Sequence, residues 1–277
     1  MSSKSISVRT YLKKYLFSFV LGFSIAFFIQ CYRSDHTEGR CFQRIANCIL
    51  HKRTPYNEDS VIVEALHTTY YLLANRSLTF DRDAVLDGDG YDGSLTADLL
   101  TAEGACGSYA DVLSQLLQTL GFQTRIAQMK VRGLFGGHIL VEAYSKNGWV
   151  VLDASFDLYF IRKTGGLASF KDVSADWPYY RSQLPAGYNM DYRYEDVRYT
   201  NWNKVPVVMP FVRQVLVIFI GEEKVDAISV RPLLLRRFRV YYYLMAIFVV
   251  CCIFHCAYRC ARKVAPAAWY SGVFNVK

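Results

Sequence analysis

Acidic residues are missing from both ends of this 277-residue chain. Residues 1–14 carry four basic residues, residues 231–277 carry eight, and neither stretch has an acidic residue. Of the 32 basic residues, the remaining 20 lie between 15 and 230 together with all 24 acidic residues. The net charge of +8 therefore belongs to the ends and not to the middle. This distribution argues against the basic surface of a nucleic-acid-binding domain, and we expect no nucleic acid as a partner.

Histidine is scarce, with five residues, and none is spaced from the eight cysteines as zinc ligands are. We therefore expect no metal and no cofactor.

Five aspartates and two glycines in the stretch 81–92 suggest calcium, but their spacing departs from that of an EF-hand loop. A solvated acidic loop is the preferred interpretation there.

Cys41 and Cys48 are either a disulfide or two free thiols.

Charge is also absent from two long runs, residues 15–32 and residues 240–258. At 1.5 Å per residue, runs of this length just span a hydrocarbon core of about 30 Å. Both runs therefore predict transmembrane helices. Lys13 and Lys14 would also suit a signal peptide, but no small-residue cleavage site follows, so we expect an uncleaved anchor. The basic tails favour the cytoplasmic side, which would leave the middle of the chain outside the cytoplasm.

The run 205–220 is a third apolar stretch, but it contains Pro206, Pro210 and Arg213. A third span would bury Arg213 near the middle of the bilayer, at a cost of about 2.5–3.5 kcal/mol. We expect instead a short helix that starts at Pro210 and ends at Gly221. Such a helix would either dock on the middle domain or lie in the membrane interface.

Cys106 comes immediately before a predicted helix. Leucines recur after it at helical spacing, and Gly121 then favours the end of the helix. Unpaired N–H groups and the helix dipole stabilise an anion at a helix N-terminus, so a thiolate is expected to form there below the usual thiol pKa of about 8.5. Cys106 is therefore a candidate nucleophile.

Two further polar residues follow on predicted strands. After a strand over 122–131 and a glycine-rich turn, His138 opens a second strand. Asn147-Gly148 is typical of a hairpin turn, and the returning strand ends at Asp153. Counted outward from this turn, Asp153 does not lie directly opposite His138, so contact between them needs a diagonal or a bulge. Asp157 is the alternative carboxylate.

Three motifs in this stretch resemble the core of the transglutaminase-like superfamily: Gly104-Ala105-Cys106-Gly107-Ser108-Tyr109-Ala110, Gly137-His138 with Glu142, and Trp149-Val150-Val151-Leu152-Asp153. The resemblance covers roughly residues 58–160. It implies a papain-like α+β fold, in which a helix bearing Cys106 packs on an antiparallel sheet bearing His138 and Asp153. It also implies Cys106 as nucleophile, His138 as general base and acid, and Asp153 as the group that orients the imidazole. Glu142 would be a second partner of the site or an ordinary buried polar group.

The expected organisation follows the chain in six segments. These are a basic cytoplasmic tail (1–14), a transmembrane helix (15–32), the transglutaminase-like domain (33–204), an apolar and basic membrane-proximal segment (205–239), a transmembrane helix (240–258) and a basic tail (259–277).

The expected function is that of a membrane-anchored thiol enzyme that cleaves or transfers an amide or acyl group, with hydrolysis slightly favoured. Its partners would be membrane lipid and a peptide, a protein or an amide-bearing substrate of the cell envelope. The alternative is a non-catalytic membrane assembly or binding protein that holds a peptide or polysaccharide on the same fold. The aromatic-rich stretch 177–202 would line a groove for such a polymer or pack over the core.

Overall fold

The computed structural model describes residues 8–52, 57–75, 99 and 106–264. They group into two compact units, one of residues 38–236 and one of the two ends of the chain. The acidic stretch 81–92, for which calcium was the alternative interpretation, lies outside the described residues.

The first helix, α1 (Val8–Lys52), is longer than the sequence indicated. We expected a polar connection over residues 33–55 with a separate helix around 41–51. The chain is instead helical without a break, and Phe42, Ala46 and Ile49 lie at helical spacing and are buried in the core of the 38–236 unit. The disulfide alternative is wrong, because both cysteines are free. Seven residues apart on one helix, Cys41 and Cys48 are separated by about 10 Å along its axis, too far for a disulfide.

Two helices cover one face of the sheet, and the second begins and ends close to where the sequence predicted. Helix α2 (Glu58–Ala74) is capped by Asn57, whose side chain accepts hydrogen bonds from the backbone N–H groups of Asp59 and Ser60. Helix α3 (Cys106–Thr119) has Cys106 as its first residue. It ends just before Gly121, whose φ of +96° is a left-handed conformation that favours glycine.

The described strands form one sheet. Its members are β1 (Gln123–Val131), β2 (Leu134–Ser145), β3 (Gly148–Asp153), β4 (Leu158–Tyr159) and β5 (Val197–Arg198), in the order β4-β3-β2-β1-β5. All neighbouring strands are antiparallel. The turn between β2 and β3 is the predicted Asn147-Gly148 hairpin, and Tyr144 pairs with Trp149 beside it.

The two faces of the sheet pack against different parts of the chain. Val141, Val150 and Leu152 contribute to a core shared with α2 and α3. Leu140 and Val151 point the other way, into a core built with aromatic residues of the segment that follows β3: Phe160, Tyr180, Tyr188 and Tyr194. This segment also forms α4 (Phe170–Ala175), α5 (Trp177–Tyr180) and a 3₁₀ turn (Arg181–Gln183). Of the two expectations for the aromatic stretch, packing over the core therefore describes these residues.

Strand β2 begins earlier than expected, at Leu134, so His138 lies within the strand and does not open it. The register between β1 and β2 shifts just before His138: Met129 pairs with His138, whereas Lys130 pairs with Phe135. Gly137 occupies this irregularity, where a Cβ would lie 2.6 Å from Cβ of Val131. The glycine-rich sequence therefore makes a bulge that redirects the strand immediately before the histidine.

Three helices follow β5 in the same unit, namely α6 (Val208–Ile220), α7 (Glu222–Asp226) and α8 (Arg231–Leu234). Helix α6 starts two residues before the predicted Pro210 and ends at Gly221 as expected. None of its residues is buried, so it does not dock on the domain.

The other unit contains the N-terminal part of α1 and helix α9 (Arg237–Val264). Tyr15–Lys52 and Arg237–Arg259 are both long and apolar enough to cross a membrane. Within this unit the ring of Tyr242 contacts the rings of Phe28 and Tyr32, with centroids 5.7 and 5.9 Å apart. Arg239 also pairs with Asp35 at 3.5 Å.

Candidate active site

Cys106 lies at the N-terminus of α3, partly buried at the edge of the core. Burial alone would raise the pKa of its thiol. A hydrogen bond to His138, the charge of that imidazole and the backbone N–H of Ile139 outweigh burial and lower the Cys106 pKa below its ordinary value. The unpaired N–H groups of the first helical turn favour the thiolate as well.

His138 is the buried link between the thiol and a carboxylate. Its Nε2 lies 2.7 Å from Oδ2 of Asp153, and both side chains are almost fully buried. Burial alone would lower the pKa of His138, but the hydrogen bonds and negative charges of Asp153 and Cys106 raise it to about 9. Because Asp153 engages Nε2, only Nδ1 is left to interact with Cys106.

The two pKa shifts act in opposite directions and favour an ion pair. The Cys106 thiol loses its proton below its usual range, and the His138 imidazole keeps its proton up to about pH 9. A lowered Cys106 pKa and a raised His138 pKa both shift the pair toward a thiolate beside an imidazolium. A thiolate is the form in which cysteine acts as a nucleophile, so this shift is what a nucleophilic role would require.

Asp153 reaches His138 across a diagonal of the sheet. Val141 pairs with Leu152, so the next residue, Asp153, lies at the level of Leu140 on β2. His138 is two residues further along β2, which makes the contact diagonal. Its other oxygen, Oδ1, accepts a hydrogen bond of 3.2 Å from the backbone N–H of Ser155. Both carboxylate oxygens therefore have donors, which fixes the plane of the group toward the imidazole.

Tyrosines of the segment after β3 complete the buried network, and sequence analysis did not identify them as part of the site. The hydroxyl of Tyr188 donates to Oδ2 of Asp153 at 3.1 Å, and the hydroxyl of Tyr194 lies 3.2 Å from that of Tyr188. Burial, Tyr194 and the Asp153 carboxylate raise the pKa of Tyr188, so it remains a donor. The ring of Tyr192 stacks on the imidazole of His138, with centroids 4.1 Å apart and planes within 10°.

We expect Tyr188→Phe to lower the free energy of unfolding by about 1.5–3 kcal/mol, because a buried hydrogen bond to a charged group is lost. The measurement is urea unfolding of the detergent-solubilised protein. Tyr180→Phe is the matched control, since Tyr180 is equally buried but its hydroxyl makes no hydrogen bond to another described residue. Equal losses in the two variants would contradict a role for Tyr188 in holding Asp153.

Glu142 belongs to a separate ion pair further along β2. It is buried and accepts a hydrogen bond of 2.7 Å from Nε of Arg125. The guanidinium of Arg125 lies between the rings of Trp149 and Tyr199, 4.2 and 4.1 Å from their centroids. Glu142 is therefore a satisfied structural carboxylate, the second of the two roles that the sequence allowed.

Asp157, the alternative carboxylate, is engaged elsewhere. Both of its oxygens lie 2.7 Å from Nδ1 of His67 on α2. The described residues thus contain two histidine–aspartate pairs, and of these two only His138–Asp153 lies beside a thiol. Among the described residues, no three histidine, cysteine, aspartate or glutamate side chains lie close enough together to hold a metal ion.

A cysteine-bearing helix packed on an antiparallel sheet that carries the histidine and the aspartate is a papain-like α+β arrangement. Residues 52–154 match the family model of the transglutaminase-like superfamily core, and this range includes Cys106, His138 and Asp153. This part of the chain is therefore a transglutaminase-like domain. No curated protein and no solved structure is similar enough to the chain to count as a match.

Proposed function

We propose that the protein is a membrane-anchored thiol enzyme that attacks an amide or acyl group through Cys106, His138 and Asp153. The observation that carries this proposal is the position of His138, whose buried ring interacts with the thiol on one side and with the carboxylate on the other. A protein that only binds a polymer has no need for a stabilised thiolate. The proposal therefore takes precedence over a non-catalytic binding role.

The chemistry follows from the geometry. The Cys106 thiolate attacks the carbonyl carbon, and the imidazolium of His138 returns the proton to the leaving amine. Asp153 holds the Nε2–H of His138 and supports its positive charge. The backbone N–H of Cys106 has no partner within the helix, because Cys106 is its first residue, and in this proposal it stabilises the oxyanion of the tetrahedral intermediate.

The acyl-enzyme would then react with water or with an amine. We propose hydrolysis ahead of transfer, because Cys106 retains access to solvent in the described part of the chain and water is the more abundant nucleophile. The proposed substrate is a peptide, a protein or an amide-bearing component of the cell envelope. Product analysis with and without an added primary amine distinguishes hydrolysis from transfer.

The test of the nucleophile is selective labelling with iodoacetamide at about pH 6.5, below the usual thiol pKa of about 8.5. We expect Cys106 to be labelled before Cys48, although Cys48 is the more exposed of the two. Mass spectrometry of the detergent-solubilised protein identifies the modified cysteine. Cys106→Ala must remove the fast phase, whereas Cys48→Ala must leave it in place. Labelling of Cys106 no faster than that of Cys48 would favour the binding protein.

We propose the membrane orientation that the two basic tails predict. Both tails lie in the cytoplasm, and the 38–236 unit lies outside it. A membrane-impermeant thiol reagent on intact cells then labels Cys106 as fully as a permeant one does. Labelling by the permeant reagent alone reverses the orientation and leaves the proposed chemistry untouched.

A further inference from the structure

Helix α6 carries an apolar stripe that no described residue covers. Its members recur at helical spacing along one side of the helix: Val208, Phe211, Val212, Val215, Ile218 and Phe219. Phe211, Ile218 and Phe219 are 64%, 80% and 78% exposed, although the helix belongs to the 38–236 unit. A contiguous apolar surface of this kind marks a site of contact with another apolar phase.

The side of α6 away from the stripe carries a single charge, which is neutralised. Arg213 is the only charged residue of the helix, and its guanidinium binds Glu222 at 2.8 Å and Asp226 at 2.9 Å, both on α7. Gly221, with φ at +84°, ends α6 and turns the chain into α7. Helix α6 therefore presents an apolar stripe on one side, while α7 neutralises the one charge on its other side, so no unpaired charge of α6 opposes contact with lipid.

The length of α6 excludes a transmembrane orientation. Thirteen residues at 1.5 Å each make a helix of about 20 Å, shorter than the hydrocarbon core of about 30 Å. A helix that is too short to span but has one apolar side is stable when it lies along the membrane surface.

The position of α6 in the chain indicates that the membrane covers its apolar stripe. Residues 221–236 connect α6 to α9, which is long and apolar enough to cross a membrane. Even fully extended, these 16 residues reach about 55 Å, so α6 remains close to any bilayer that α9 crosses. Such a tether raises the effective concentration of lipid at the stripe far above that of any other partner.

We propose that α6 lies in the interfacial region of the bilayer, with its apolar stripe toward the acyl chains and the Arg213–Glu222–Asp226 cluster toward the headgroups. The helix would hold the transglutaminase-like domain against the membrane surface. Substrates would then be attacked close to the lipid. This contact is independent of catalysis, because none of its residues belongs to the active site.

The test uses the full chain with Phe219→Trp, reconstituted in phosphatidylcholine vesicles with or without dibrominated acyl chains. The fluorescence of the added tryptophan is obtained by subtracting that of the wild-type protein. We expect the brominated lipid to quench it about twofold or more, since interfacial helices bury their apolar side about 5–10 Å deep, and aqueous iodide to quench it little. Leu134→Trp is the matched control, because Leu134 is 75% exposed at the start of β2 in the same unit. Its added fluorescence should respond to iodide and not to bromine.

Ile218→Trp provides a second position on the same stripe, in case the first variant packs abnormally. Quenching of both stripe tryptophans by iodide, as in Leu134→Trp, would show that α6 is exposed to water and would overturn the proposal. Shielding from both quenchers would show that a protein surface covers the stripe, such as a second copy of the chain, and would overturn it equally.

Discussion

His138→Ala is expected to abolish the low-pH reactivity of Cys106 and to reduce turnover of an amide substrate by a factor on the order of 10⁴ to 10⁶, by analogy with the loss of the histidine from serine triads. The physical reason is that His138 supplies both the hydrogen bond and the charge that lower the Cys106 pKa. Without them, burial raises the pKa of the thiol. The backbone N–H of Ile139 and the helix N-terminus remain, but they act against burial without a positive charge.

The measurement is the rate of iodoacetamide alkylation of Cys106 between about pH 5 and pH 10. In the wild-type protein the rate is already high below the usual thiol pKa of about 8.5, and it changes again near pH 9, where the His138 imidazolium loses its proton. In His138→Ala the midpoint moves to higher pH and the step near pH 9 disappears.

The second histidine–aspartate pair provides the matched control. His67→Ala removes an imidazole that also binds an aspartate at 2.7 Å, but its partner is Asp157 and no thiol is part of the pair. This variant should keep the wild-type alkylation profile. If His138→Ala leaves the profile unmoved as well, the imidazole does not control the thiol, and the binding-protein alternative takes precedence.

Local signals in the sequence predict the elements that carry the site. The leucine repeat after Cys106 and the glycine at 121 predict α3 closely, and Asn147-Gly148 predicts the β2–β3 hairpin. With the hairpin in register, the separation of Asp153 from His138 along the sheet could be counted in advance. The diagonal contact that the count required is the one that the structure has.

The bulge before His138 could not be read from the same signals. Gly133, Gly136 and Gly137 together look like one long turn, whereas the turn occupies only Arg132 and Gly133. The reason for glycine at 137 is its close approach to Val131 on the neighbouring strand. Crowding of this kind depends on pairing between strands, which a local pattern does not report.

The tyrosine network was missed for a similar reason. The spacings between Tyr188, Tyr192 and Tyr194 change from four residues to two, so they follow no single helical or strand period, and their segment has little regular structure. Their roles depend on how this segment folds back over the sheet face that carries His138 and Asp153. By contrast, a helix around residues 41–51 was expected from the sequence. Its continuity with the apolar run 15–32 was not, because residues 33–40 between them are polar.

Asp153→Asn is expected to lower turnover by about 10⁴-fold, as the equivalent change does in serine triads. The fold and part of the Cys106 thiolate should be retained. The amide has nearly the shape of the carboxylate, so the packing around it is preserved. One oxygen, however, is replaced by an NH₂ group, which can only donate. The consequence depends on which oxygen is replaced.

The surroundings of Asp153 decide this orientation. The backbone N–H of Ser155 can only donate, so the position of Oδ1 must remain an oxygen. The NH₂ group is then directed to the position of Oδ2, where it faces Nε2 of His138 and the hydroxyl of Tyr188. A tyrosine hydroxyl can rotate and accept, but Nε2 can accept only if its proton moves to Nδ1.

The amide therefore selects the wrong tautomer of His138. With the proton on Nδ1, the neutral imidazole presents a donor to Cys106 and cannot take the proton of the thiol, so the ion pair forms less readily. Loss of the carboxylate also removes the charge that supports the imidazolium. Alkylation of Cys106 in Asp153→Asn should consequently shift toward higher pH, but less than in His138→Ala, because the imidazole and the helix N-terminus are still present.

Asp157→Asn is the control that distinguishes this mechanism from a general loss of charge. It removes a carboxylate of the same chemistry from the pair with His67, at a residue whose φ of +53° asparagine tolerates well. Turnover should remain close to that of the wild-type protein. Full turnover in Asp153→Asn, or equal losses in the two variants, would show that Asp153 does not orient the imidazole and that the triad is not the reacting unit.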